Sequence, residues 1–253
     1  MTDINPVQGA ILLAAAFTVA FFYSSVGHGG VTGYLAALAL LGVVPASARV
    51  AVLIANVLAA SVAWRRFGRA GHFDWRVLLT LAVASMPGVW LGSRVHIRPH
   101  TCELVLGMVL ATGGLILLMR ARWQAEDQVP QNFYWPAALP VGAGLGFLTG
   151  LTGIGGGVFL SPVLYLFRWV KPKATGGIAA GFIVLNSLAG LTGTGCGKIV
   201  HAGPLLWLTL PAVVGALLGT QLGARRWSNV TFSRVLAGGR IFAGGKLLLQ
   251  TAG

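Results

Sequence analysis

Long apolar stretches, separated by short polar or glycine-rich connections, recur along the whole chain. Several approach the roughly 20 residues that a membrane-spanning helix needs, and few charged residues fall inside them. The pattern predicts an all-α polytopic membrane protein with five apolar segments on each side of a polar connection. The segments cover residues 9–24, 30–44, 46–64, 75–95, 102–120, 136–150, 156–169, 174–194, 204–223 and 232–250.

A glycine-rich break occurs at corresponding places in the two halves. Residues 27–30 read GHGG and residues 153–157 read GIGGG; Gly29 recurs as Gly156 after 127 residues. Each break joins two short segments, which either cross the membrane completely or form a re-entrant hairpin. Both versions give an odd number of crossings per half, so the sequence predicts two inverted-topology repeats. The first repeat is expected at 1–120 and the second at 136–253, with a cytoplasmic connector at 121–135.

Basic residues are distributed unequally between the two sides that this topology defines. Twelve lie on the side of the connector and four on the other. This agrees with the positive-inside rule if both termini are outside the cytoplasm of a multi-pass protein in the inner (plasma) membrane. The net charge of +13 then reflects topology, and no nucleic-acid partner is expected, because a nucleic-acid binder concentrates its charge on a soluble face. The twelve are Arg65, Arg66, Arg69, Arg76, Arg120, Arg122, Arg168, Lys171, Lys173, Arg225, Arg226 and Arg234, and the four are Arg49, Arg94, Arg98 and Lys198.

The chain resembles the TauE/SafE sulfite exporter family in three features. These are the two glycine breaks, Pro162 after the second break and the duplicated hydropathy. The resemblance covers essentially the whole chain. It implies secondary transport of a small anion such as sulfite, a sulfonate or a related organic acid, often by export. Two positions depart from an equal duplication, because Leu35 stands where the second half has Pro162 and His28 where it has Gly155. Substrate binding or coupling is therefore expected to differ between the halves.

The combined prediction is an anion exporter that works by alternating access. An anion-conducting channel or pore remains the alternative, since it uses the same broken helices without a closing step. No metal cluster, nucleophile elbow or phosphate loop of the expected spacing supports an enzyme, so neither a metal nor a cofactor is expected. The expected partners are a small anionic substrate and the lipid bilayer. Protons are a candidate coupling ion. The sequence leaves open whether the chain forms a homo-oligomer.

The glycine breaks are the predicted substrate site. A run of glycines interrupts a helix, lets the backbone approach a ligand, and exposes N–H groups at the positive end of the next half-helix, where an anion binds. Close helix packing through small residues is the competing interpretation. Recurrence at the junction of short segments favours binding. The predicted substrate-binding glycines are Gly27, Gly29, Gly30, Gly153, Gly155, Gly156 and Gly157.

Polar side chains near the breaks complete the predicted site. His28 lies within the first break, and an ionisable group at membrane depth usually marks a pathway, so His28 is a candidate for substrate binding and proton coupling. The alternative is a neutral histidine bonded to backbone or lying in an aqueous vestibule. Asn56 and Asn186 occupy matching places and either bind substrate or join helices. The remaining candidates are Ser24, Ser25, Thr152 and Arg240; hydroxyls also bond their own helix carbonyls, and basic side chains also snorkel.

Overall fold

The computed structural model of the chain is mostly helical, and the residues that it describes include no strand. These residues are 5–40, 46–95, 104, 107–108, 111–115, 118–119, 131–152, 156–194, 203–228, 231, 234, 237–238, 241 and 245. The predicted all-α class is confirmed. Of the predicted segments, 102–120 and 232–250 lie largely outside the described residues, and helical residues are described within 104–119 and 231–245.

The other helices begin and end within a few residues of the predicted segments. They are α1 (Pro6–Ser25), α2 (Val31–Leu40), α3 (Ala46–Arg69), α4 (Trp75–Arg94), α5 (Trp135–Thr152), α6 (Gly157–Phe167), α7 (Pro172–Thr194) and α8 (Thr209–Gln221). A 3₁₀ turn (Gly203–Leu208) precedes α8, and a π turn (Leu222–Arg226) follows it.

Side-chain caps explain where two of the long helices begin. The Asn5 side chain accepts a hydrogen bond from the backbone of α1, and the Gln8 side chain accepts one from the Asn5 N–H, which forms a capping box. The Asp74 carboxylate accepts from the Arg76 N–H at 2.9 Å at the start of α4. These bonds satisfy N–H groups that have no partner within the helix.

Four described stretches are long and apolar enough to cross a membrane, namely Pro6–Ser25, Ala51–Arg69, Trp75–Arg94 and Leu206–Arg226. Large apolar side chains on them, such as Val83 and Leu210, are 63% and 72% exposed, as expected for a surface that lipid covers. α6 is shorter, with 11 residues. At 1.5 Å per residue it extends about 16 Å, roughly half of the ~30 Å hydrocarbon core.

Glycines bring α4 and α5 into close contact, although these helices come from different halves of the chain. A Cβ atom on Gly88 would overlap the backbone of Ala143, and one on Gly92 would overlap that of Phe147. The residue numbers of the contacting pairs rise together, from 88 and 143 to 92 and 147, so α4 and α5 run parallel. Small residues at such an interface allow the backbones to approach, which is how helices associate in membranes.

The helices α1 and α8 form a second pair of the same kind. A Cβ atom on Gly215 would overlap the backbone of Phe17, and one on Gly219 would overlap that of Phe21. These helices also run parallel and also come from different halves. Between the two pairs, α3 packs against α7 and α8, and α4 packs against α7.

The turn between α3 and α4 meets the start of α7 and the π turn at one end of the bundle. A Cβ atom on Gly177 of α7 would overlap the carbonyl oxygen of His72, which lies in this turn. Burial lowers the pKa of His72, the positive charges of Lys173 and Lys171 lower it further, and a hydrogen bond with the Ala224 backbone opposes them. Basic residues from several elements therefore gather at this end.

Candidate functional site

The side chain of His28 joins the two glycine breaks. It is 2% exposed, and its Nε2 lies 3.1 Å from the carbonyl oxygen of Gly157, which is 129 residues away in the sequence. The same nitrogen lies 3.2 Å from the Ser161 hydroxyl, and Nδ1 lies 3.1 Å from the Val26 carbonyl oxygen. The imidazole therefore connects the end of α1 to the beginning of α6.

These neighbours bear on the protonation state of His28. Both ring nitrogens face a carbonyl oxygen, and a carbonyl oxygen can only accept a hydrogen bond. A neutral imidazole donates from one ring nitrogen and accepts at the other, whereas an imidazolium donates from both nitrogens. The Ser161 hydroxyl can donate to the Gly157 carbonyl at 3.2 Å while its oxygen accepts from the ring. The contacts fit both states: in a neutral ring Nδ1–H donates to Val26 and Nε2 accepts from the Ser161 hydroxyl, and in a protonated ring both nitrogens donate.

Left-handed glycines interrupt the backbone directly before both short helices. Gly30 has a φ of 98° and precedes α2, and Gly156 has a φ of 72° and precedes α6. Side chains other than glycine rarely adopt such angles. No side chain caps α6 at Gly156, and the first N–H groups of any helix lack intrahelical acceptors. The breaks thus place two positive helix ends beside His28.

The same glycines also pack tightly, as the competing interpretation required. A Cβ atom on Gly27 would overlap the backbone of Gly176 in α7, and one on Gly157 would overlap the side chain of Ile183. Close packing and helix N–H groups without an intrahelical acceptor therefore coexist at these breaks, and the first does not exclude the second.

The two matching asparagines have different surroundings. Asn186 is 3% exposed; its Oδ1 lies 2.9 Å from the Ser85 hydroxyl, and its Nδ2 donates to the Phe182 carbonyl at 3.0 Å. Asn56 is 2% exposed, its carboxamide lies against Gly29, and its Nδ2 has no hydrogen-bond partner among the described residues. Asn186 joins helices, whereas Asn56 lies beside the first break with its Oδ1 towards Gly29 and its Nδ2 unused.

Most hydroxyls near the breaks bond to their own helix. Ser25 donates to the Phe22 carbonyl at 2.6 Å, and Thr152 donates to the Leu148 carbonyl at 2.7 Å. The buried Ser24 hydroxyl, by contrast, has no partner among the described residues. Three further predicted site residues, Gly153, Gly155 and Arg240, lie outside the described part of the chain.

Comparison with known proteins identifies the family to which this arrangement belongs. Residues 12–247 match the model of the sulfite exporter TauE/SafE family. The chain belongs to the TauE/SafE family. It is similar to the "Probable membrane transporter protein y4hK" of Sinorhizobium fredii, with 30% identity over 231 residues that cover 89% of this chain and 94% of the relative. It is also similar to the "Probable membrane transporter protein YjnA" of Bacillus subtilis, with 27% identity over 79% of this chain and 84% of the relative. No solved structure matches the chain significantly.

Membership confirms the resemblance drawn from the glycine breaks and makes the chain a membrane transporter of the TauE/SafE type. Sequence reasoning missed three residues of this transporter's candidate site: Ser161, which contacts His28, Ser85, which binds Asn186, and Tyr34, whose hydroxyl lies beside Gly30. One signal was available, because Tyr34 and Ser161 are separated by the same 127 residues as the glycines.

Proposed function

We propose that the chain is a secondary transporter of the plasma membrane that exports a small anion by alternating access. Sulfite, a sulfonate or a related organic acid is the proposed substrate class. The observation that carries the proposal is the contact between His28 and Gly157, because it brings the two glycine breaks together at one place. A single site between two halves is what an alternating-access transporter requires.

The proposed site binds the anion through two helix N-termini and His28. The N-terminal N–H groups of α2 and α6 lack intrahelical acceptors, and the positive ends of both helices favour negative charge. His28 lies between these helix ends, where its protonated form would add a full positive charge. The proposed substrate-contacting residues are Gly29, Gly30, His28, Gly156 and Gly157, with Ser24 as a further hydroxyl.

The packing of the helices supports an inverted repeat and a rocking motion. α4 pairs with α5 and α1 pairs with α8, so each pair takes one helix from each half. The corresponding glycines of α4 and α8, Gly88 and Gly215, mediate the two contacts. Motion of one such pair against the other would open the site first to one side and then to the other. The proposed orientation has both termini outside and the 121–135 connector in the cytoplasm.

Proton coupling is the proposed role of His28. A bound anion stabilises the imidazolium, and loss of the anion from a desolvated site favours the neutral ring. Anion binding and proton uptake are then thermodynamically linked, and each raises the affinity for the other. The substrate and the proton would move together in the direction that their gradients dictate.

Counter-flow in proteoliposomes tests this proposal. Purified full-length protein is reconstituted with unlabelled sulfite, methanesulfonate or acetate inside, and uptake of the labelled anion is followed with and without a pH gradient. We expect saturable uptake against the gradient of the labelled anion for at least one of the three. Uptake that shows no counter-flow would indicate a pore, because a pore cannot move a labelled anion against its gradient in exchange for an unlabelled one. Absence of all three fluxes would contradict the proposed substrate class.

A further inference from the structure

Besides the Ser24 hydroxyl, two buried polar atoms beside the first glycine break have no hydrogen-bond partner among the described residues. They are Nδ2 of Asn56 and the hydroxyl oxygen of Tyr34. The Asn56 carboxamide lies against Gly29, and the Tyr34 hydroxyl lies 3.3 Å from the position that a Cβ on Gly30 would take. Asn56 and Tyr34 are 2% and 6% exposed. A buried donor without a partner is costly, so two of them at one place call for a partner that binds there.

In the second half, the only buried side-chain donor without a partner among the described residues is the Ser187 hydroxyl, next to Asn186 on α7. Two polar side chains at the second break have partners: Thr149 donates to the Leu145 carbonyl at 2.7 Å, and Ser161 contacts Gly157 and His28. The asparagine of this half, Asn186, uses both ends of its carboxamide. Thr149, Ser161 and Asn186 thus bond to the protein itself.

The hydroxyl that Asn186 contacts has no counterpart at the corresponding position of the other half. Ser85 supplies the partner of Asn186 from α4, which packs against α7. The residue 127 positions after Ser85 is Ala212. It lies on α8, which packs against α3, the helix that carries Asn56. Alanine has no hydroxyl, so this position of α8 cannot give Asn56 the bond that Ser85 gives Asn186.

We propose that Asn56 and Tyr34 donate hydrogen bonds to the oxygen atoms of the transported anion, and that Asn186 is a positioning residue that does not contact it. This inference rests on the proposed function and makes its site asymmetric. The first break, with the N-terminus of α2, two neutral donors and His28, holds the oxyanion. The second break supplies its helix end and the support for His28.

Substrate affinity in matched variants tests the inference. The KM for labelled sulfite, methanesulfonate and acetate is measured by counter-flow for the wild-type protein and for Asn56→Ala, Tyr34→Phe and Asn186→Ala. Hydrogen bonds to charged groups are strong enough that we expect the KM to rise about 10- to 100-fold in Asn56→Ala and about tenfold in Tyr34→Phe. Asn186→Ala removes the same carboxamide from the other half. It should lower the thermal midpoint in detergent and change the KM by no more than about twofold.

A second substitution guards against loss of folding. Asn56→Asp keeps the shape of the side chain, replaces its donor with an acceptor and should abolish counter-flow in protein that still elutes as a single species. A wild-type KM in Asn56→Ala or in Tyr34→Phe would overturn the inference. An equal rise in KM in Asn186→Ala would overturn the asymmetry. These results leave the proposed function intact if the wild-type protein transports. Absence of counter-flow in the wild-type protein overturns both.

Discussion

The hydroxyl of Ser85 lies 2.9 Å from Oδ1 of Asn186 and joins α4 in the first half of the chain to α7 in the second. Both residues are buried. The same hydroxyl lies 2.7 Å from the Ala82 carbonyl, so two acceptors share its one proton. The Phe182 carbonyl holds the other end of the Asn186 carboxamide. The result is a fixed amide at the point where the two halves meet.

Removal of this hydroxyl is expected to destabilise the protein. Ser85→Ala leaves Oδ1 of Asn186 buried without that donor, and an unsatisfied buried acceptor costs about 1–3 kcal/mol. The midpoint of thermal unfolding in detergent should therefore fall. Ser93→Ala, on the exposed side of the same helix, removes only a hydroxyl that bonds to the Trp90 carbonyl and should shift the midpoint far less. Equal shifts in the two variants would show that the Ser85 contact contributes nothing specific.

The glycine breaks are expected to be far less tolerant of side chains than other glycines in the helices. Gly30→Val and Gly156→Val place a β-branched residue at a positive φ, which such residues rarely adopt. Their side chains would also overlap neighbours, Val19 at Gly30 and Thr149 at Gly156. We expect loss of counter-flow in protein that still inserts into the membrane.

Gly144→Val on α5 is the matched control for these variants, because no heavy atom lies within 4 Å of an added Cβ there. It should retain counter-flow. Similar losses in Gly144→Val, Gly30→Val and Gly156→Val, measured per amount of folded protein, would reduce the breaks to ordinary packing sites.

The sequence predicted the parts of the site that follow from local chemistry. A run of glycines interrupts a helix wherever it occurs, so the breaks before α2 and α6 could be read directly from residues 27–30 and 153–157. The prediction that His28 lies at membrane depth followed from its place within a break. The family resemblance rested on the same motifs.

Contacts between distant residues could not be predicted in this way. His28 and Gly157 are 129 positions apart, and nothing local to either residue indicates that they meet. Asn56 and Asn186 occupy matching places and were predicted as equivalent. Asn186 bonds to Ser85 on another helix, and the corresponding residue of the other half is Ala212. Such differences depend on tertiary packing, which the hydrophobic pattern does not specify.

The turn between α3 and α4 is expected to make stability depend on pH. Burial and the charge of Lys173 lower the pKa of His72 below its ordinary value of 6.5. The unfolded chain therefore binds this proton more readily than the folded one, so folding stability is greatest above about pH 6.5 and falls as the pH drops towards the folded pKa. The thermal midpoint should decline between about pH 7 and 5, and His72→Gln should weaken that decline. An unchanged pH dependence in His72→Gln would assign it to other groups.

The proposed orientation can be tested by labelling single cysteines in intact cells. With Cys102 and Cys196 replaced, thiols introduced at Thr2 and Ala252 should react with a membrane-impermeant reagent added outside. A thiol at Gln128 should react only after the cells are permeabilised, because twelve of the sixteen loop arginines and lysines counted above lie on its side. Labelling of Gln128 in intact cells would contradict the inverted-repeat topology.

His28 is expected to set the pH dependence of transport. Its two ring nitrogens face the carbonyl oxygens of Val26 and Gly157, and an imidazolium can donate to both. The side chain of His28→Gln still donates through its amide group but does not titrate. It should retain some substrate binding, and its transport rate should vary little between about pH 5 and 8, the range in which histidine usually changes charge.

The matched control is His72→Gln, which changes a histidine outside the proposed site and should leave the pH profile of transport as in the wild-type protein. Uptake driven by a pH gradient separates coupling from simple pH sensitivity. If protonation of His28 is linked to anion binding, the variant retains counter-flow and loses the response to an imposed gradient, since the substrate no longer carries that proton with it. A variant with both the wild-type pH profile and the wild-type gradient response would make His28 a structural bridge between the breaks, and coupling would then have to reside in another group.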